Sequence, residues 1–128
     1  MSRQHISSGG PWEDTVGYSR AVRVGKHVYV AGTTSTNADG TVEGVGDPAA
    51  QVRRCFEIIA AALAEAGATL DDVVRTRMFV TDISRWEEYG RAHGEVFRHI
   101  RPAATMVEVA ALISPEHMVE IEVEAVME

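Results

Sequence analysis

The sequence predicts an α+β fold, a mixed sheet with two helices on one face. Three observations carry this. Segments that read as strands lie at both ends of the 128-residue chain, and both helical patterns fall between them. The last strand also alternates strictly, with Val119, Ile121, Val123 and Ala125 on one side and Met118, Glu120, Glu122 and Glu124 on the other. One face of the sheet is therefore made for a core and the other is not.

The elements follow in order. Ser7 to Gly10 reads as a flexible lead-in. Tyr18 to Val24 and His27 to Thr33 are rich in Val, Tyr and Thr, and Gly25-Lys26 between them, with Gly first, predicts a hairpin with a type II′ turn. Asn37 to Gly46 is a glycine-rich loop. Asp47-Pro48 then supplies an N-cap and a first-position proline, and the helix runs to a C-capping Gly67. Val52, Phe56, Ile59 and Leu63 form its apolar stripe, so it should lie on a sheet.

Val73 to Thr81 follows as a strand with Arg75, Arg77 and Phe79 on one face and Val74, Thr76, Met78 and Val80 on the other. Ser84 with Glu87 predicts a capping box that opens a second helix through about His99, with Trp86, Tyr89, His93, Phe97 and Ile100 along its apolar side. Two strands, about Ala103 to Ala110 and Met118 to Met127, complete the order ββαβαββ. The first of these opens at Pro102, which suits a strand start. Arg101 before it reads as a surface or interface charge at a strand entrance.

Length fits a single domain, residues 1–128. The formal charge of −7, with twelve basic residues spread along the chain, argues against a nucleic-acid partner. The longest mainly apolar run, within Ile58 to Leu63, is far too short to span a membrane, and MSRQHISSGG carries no hydrophobic signal core. With Cys55 as the only cysteine, no internal disulfide can form, and a cytoplasmic protein is expected.

Chemical motifs are sparse. The histidines at 5, 27, 93, 99 and 117 have no ligand spacing, so no metal is expected, and His93 reads as a packed or interface residue. There is no G-x-S-x-G elbow, and Cys55 beside a helix stripe reads as an inert small hydrophobe. Gly44 to Ala49 matches G-x-G-x-x-A at a helix start, but Asp47 would put a carboxylate where a pyrophosphate belongs, so a loop plus N-cap is preferred. What remains is a polar set at strand ends: Tyr18, Gly32, Thr105 and Glu120. A glutamate on a half-buried sheet face suits acid or base work.

The stretches GYSRAVRVGKHVYVAGTT, LAEAGATLDDVVRTRMFVTDI and RPAATMVEVAAL with VEIEVEAV resemble the reactive intermediate deaminase family, RidA/YjgF, from about residue 16 to 126. The resemblance implies a chorismate-mutase-like fold and a homotrimer with small-molecule clefts between subunits. It also implies hydrolysis of reactive enamines or imines to 2-keto acids and ammonia, with no cofactor. By the same resemblance, Tyr18 shapes the cleft, Gly32 contributes main chain, and Glu120 positions or activates water. The family's P-A-R-S segment falls on Pro102-Ala103-Ala104-Thr105, so its carboxylate-gripping arginine is replaced by Ala104. Its following cysteine is Met106, and an asparagine often found in the second helix aligns with Gly90.

Two readings follow. One is a deaminase of this type with altered substrate preference, using catalytic Glu120 and Tyr18 with Gly32, Ala104 and Thr105 at the substrate. The alternative is a noncatalytic ligand-binding or regulatory trimer. An endoribonuclease, a label sometimes given to the family, fits the acidic balance worst.

Overall fold

Backbone hydrogen bonding in the computed structural model, which describes residues 2–128, builds one six-stranded sheet in the order β1-β2-β3-β6-β4-β5. The elements are β1 (Arg3–Ile6), α1 (Pro11–Val16), β2 (Ala21–Val24), β3 (His27–Thr33), α2 (Pro48–Glu65), β4 (Val73–Val80), α3 (Trp86–Phe97), β5 (Ala103–Glu108) and β6 (Val119–Val126). All neighbours are antiparallel except β4 and β5, which run parallel and are joined by α3, as a parallel pair requires. The two longer helices cover one face of the mixed sheet, in agreement with the predicted class.

The core forms where periodicity placed it. Val52, Phe56, Ile59 and Leu63 of α2 are at most 2% exposed, and they meet Val28 and Val30 of β3 and the odd-numbered residues of β6. Each such side chain contributes about 1.5–3 kcal/mol before entropy is subtracted. Asp47 caps α2 by accepting from the Ala50 amide at 3.1 Å. At the other end Gly67, at φ 87°, takes the left-handed position just after the C-cap. Gln51, fully buried, donates to the Gly44 and Glu116 carbonyls and accepts from the Met118 amide, so the start of α2 is tied to the start of β6. The Gly25 turn is as expected, with φ 61° at Gly25 and no left-handed φ at Lys26.

Four expectations change. Ser7 to Gly10 are not a lead-in but a linker: β1 precedes them and pairs with β2, and α1 follows. That linker is fastened, because Ser8 donates from both its amide and its hydroxyl to Glu13, a carboxylate only 7% exposed. In β4 the register slips between Val73 and Arg75, so Val73 is buried and Val74 is 47% exposed. The extra residue of a bulge reverses the alternation at that point.

The predicted Ser84–Glu87 box is not used. Asp82 accepts from the amide and hydroxyl of Ser84 and starts a short 3₁₀ turn, Ile83–Arg85, ahead of α3. Trp86, first residue of α3, is 57% exposed, because the apolar stripe runs off the core at the helix start; Ala92 is buried in that layer instead.

Candidate functional site

The uncovered sheet face carries the polar side chains. On it Arg77 bridges Glu122 at 3.2 Å and Glu124 at 2.9 Å, so the charges of β4 and β6 pair first within the protomer. Such half-exposed pairs stabilise by about 0–1 kcal/mol. Glu120, next along β6, is different: among the described residues no donor reaches its carboxylate. Instead it rests on Gly32 of β3. A Cβ at Gly32 would overlap Oε2 of Glu120 and would lie 3.0 Å from its Cδ. This glycine is required by contact, since its φ is not left-handed.

Tyr18 is delivered by α1. Gly17, at φ 87°, ends that helix, and the Tyr18 amide donates to the Glu13 carbonyl at 3.0 Å. The ring lines an open cleft of about 750 Å³ with His5, Val22, Tyr29, Ala31 and Glu122. Two residues away, Arg20 donates through Nη2 to the Gly32 carbonyl at 2.7 Å, and its guanidinium carbon lies 5.7 Å from the centre of the Tyr18 ring. Tyr18, Arg20, Gly32 and Glu120 thus form one connected group around the end of β3.

Ala104 and Thr105 are not in it. They lie on the edge strand β5, and both are exposed. Thr105 is in register with Arg77 and shares its uncovered face, whereas Ala104 is in register with Thr76 on the helix-covered side. Glu120 pairs across β4 at Phe79, which is in register with Val107. Ala104 is therefore displaced from Glu120 by about 10 Å across the sheet and about 10 Å along it. Within one protomer the vacated arginine position is remote from the glutamate. Arg101, at φ 59°, turns its Nε back onto the Arg98 carbonyl, and Glu108 accepts from the Ile83 amide.

Three residues not singled out as site candidates enter the picture. Arg20 and Glu122 are recognisable only once β2, β3 and β6 are laid side by side. His117 is 5% exposed, shares a hydrogen bond between its Nε2 and the Thr36 hydroxyl at 3.0 Å, and has a buried Nδ1 without a partner. Burial holds its pKa below the ordinary value, partly opposed by the charge of Glu120. Cys55 is closed off, with Sγ on the Thr33 carbonyl and its pKa pushed up to about 12 by burial and then by Glu120. It is not a nucleophile. His93 shares a hydrogen bond with Thr76 at 2.9 Å and packs against Phe56 and Phe97, as a core histidine does. Among the described residues no cluster of three potential metal ligands occurs, and no helix is long and apolar enough to cross a membrane.

The family model described as Endoribonuclease L-PSP matches residues 12–127. The chain is 38% identical over 122 residues to an uncharacterised protein of Streptomyces coelicolor, covering 95% of this chain and 90% of that one. It is 34% identical over 121 residues to the 3-aminoacrylate deaminase RutC of Acinetobacter baylyi, covering 94% and 95%. Its fold superposes with a TM-score of 0.89 on a Mycobacterium tuberculosis member of the YjgF/YER057c/UK114 family, at 53% identity over 98% of this chain and 100% of the other. Since these matches run through every strand of the core and both covering helices, the chain belongs to the RidA/YjgF family.

Proposed function

We propose that the protein is a hydrolytic deaminase of small reactive enamines or imines, with a substrate preference shifted by Ala104. The observation that carries this is the unpaired Glu120 carboxylate seated on Gly32, beside a tyrosine-lined cleft. The chemistry needs little more. The enamine tautomerises to an imine, and Glu120 takes a proton from water as the oxygen adds to the C=N carbon. The carbinolamine then collapses, with the proton passed to nitrogen, so that water enters and ammonia leaves with a keto product. No cofactor is called for. The relative named 3-aminoacrylate deaminase supports the reaction class.

The site is completed by a neighbouring copy in a homotrimer, because Ala104 and Thr105 cannot approach Glu120 within one protomer. The exposed edge strand β5 and the uncovered sheet face are the surfaces that would meet. Ala104 itself favours a second reading, a small-ligand-binding trimer that keeps the cleft without turnover. An RNA substrate is disfavoured by the −7 charge.

The decisive assay supplies freshly generated 2-aminoacrylate or 3-aminoacrylate and follows ammonia release. Deamination above the spontaneous rate, lost in Glu120→Ala, is the expected result. Equal rates with and without protein across both substrates and their carboxamides would leave the binding reading in place of the enzyme.

A further inference from the structure

The arginine missing from β5 leaves the question of what would hold an anionic substrate. Arg20 is the cation the protomer places beside Glu120. It precedes β2 and is bonded to β3 opposite Ala31, whose amide donates to the Arg20 carbonyl at 3.0 Å. Its guanidinium is held from two sides, by the Gly32 carbonyl and by the Tyr18 ring. Yet its charge is not spent. It forms no ion pair among the described residues, although the chain carries nineteen acidic residues against twelve basic ones. Its Nε is buried without a hydrogen-bond partner, a costly arrangement.

The counterpart on the other side of Gly32 is Glu120, also unpaired. Because Arg20 and Glu120 both touch this one glycine, standard bond lengths keep guanidinium and carboxylate within about 9 Å. They are nevertheless not bonded to each other. Both groups meet over a residue with no side chain, so a short acid gripped by the guanidinium would present its reacting carbon to Glu120.

We infer that Arg20 is the anion anchor of the site, gripping the carboxylate of a short enamine or imine acid so that its C=N carbon lies toward Glu120. The inference rests on the deaminase reading for the reaction but not for the binding. It assigns the substrate class as a small carboxylate despite Ala104. The anchor is brought toward Gly32 and Glu120 from the β2 side of the sheet rather than from β5. Arg20 acts here as a specificity-determining residue, and Glu120 keeps the chemistry.

The test separates binding from turnover. Pyruvate, a stable 2-keto acid, and its amide are titrated by calorimetry or ligand-observed NMR into the full-length protein and into Arg20→Met and Arg20→Lys. Arg101→Gln serves as the control, with folding of each variant checked by circular dichroism. The wild-type protein should bind pyruvate in preference to pyruvamide. Arg20→Met should weaken pyruvate by about 10- to 100-fold and erase the preference, Arg20→Lys should fall between, and Arg101→Gln should match wild type.

In turnover of 2-aminoacrylate, Arg20→Met should raise KM more than it lowers kcat. No binding of pyruvate by the wild type, or equal binding by Arg20→Met, overturns the anchor. Turnover that does not depend on Arg20 leaves the deaminase standing and removes the anchor. Arg20-dependent binding without turnover keeps the anchor and removes the deaminase.

Discussion

At the scale of single residues, Gly32 and Glu120 occupy one volume between them. The carboxylate lies where the glycine's Cβ would be, so Gly32→Ala must push Glu120 aside. Overpacking of this kind costs about 1–3 kcal/mol, which urea denaturation would register. The same change in a Glu120→Ala background should cost much less, since the clashing group is gone. A penalty that persists there would place the strain in the backbone instead. Tyr18, Gly32 and Glu120 are marked in the sequence by residue type and by position at the ends of expected strands, although β2 begins only at Ala21 and Tyr18 is held at the end of α1. Arg20 could be named in the sequence only as one basic residue able to reach the vacated position; its place beside Gly32 and Tyr18 is set by the β2–β3 pairing. Ala104 and Thr105 were legible as neighbours in sequence, and that adjacency misleads, because consecutive strand residues face opposite ways.

Among the elements, caps and stripes divide what could be read from what could not. The Asp47-Pro48 start, the four-residue stripe and Gly67 mark α2 completely, since all its signals are local. The start of α3 offers two local signals, and the structure uses the one that the capping-box pattern obscures. Asp82→Ala should cost about 0.5–2 kcal/mol, whereas Ser84→Ala should cost less, because the Ser84 amide keeps its bond to Asp82. Paired thermal melts would decide it, and a larger loss in Ser84→Ala would restore the box. The N-terminal segment was opaque for a different reason. Neither the four residues of β1 nor the six of α1 are long enough to display a period, and the serine-glycine stretch that suggests looseness is tied down by the bonds of Ser8 to the buried Glu13. The bulge at Val74 is likewise invisible in β4 alone, since it is a property of its register with β6.

For the whole molecule, two consequences can be measured. The first is the acid limb of stability. Burial lowers the pKa of both His93 and His117 from the ordinary 6.5, so the folded protein keeps them neutral while the unfolded chain takes up protons. Stability is therefore unaffected by these two groups well above pH 6.5 and falls as pH drops below it, toward their folded pKa values. Glu13, whose pKa is lowered chiefly by the Ser8 hydroxyl, adds its own loss only below the usual carboxylate value of 4.5. His93→Gln should flatten the upper part of this limb in pH-dependent melts, and an unchanged slope would assign it to other groups.

The second consequence concerns how the site is divided between copies. If Glu120 of one subunit meets β5 of the next, a variant damaged at each side should be rescued by the other. Glu120→Ala removes the carboxylate, and Ala104→Trp, at an exposed edge-strand position that should tolerate it, fills the cleft from β5. Each alone should be inactive toward 2-aminoacrylate. Co-expressed in equal amounts, they should recover about one quarter of wild-type activity, because in a ring of three that fraction of interfaces joins an intact glutamate to an intact strand. A site contained within one protomer would give no recovery. Full activity of Ala104→Trp by itself would remove β5 from the site, and light scattering at the mass of a single chain would exclude the shared cleft altogether.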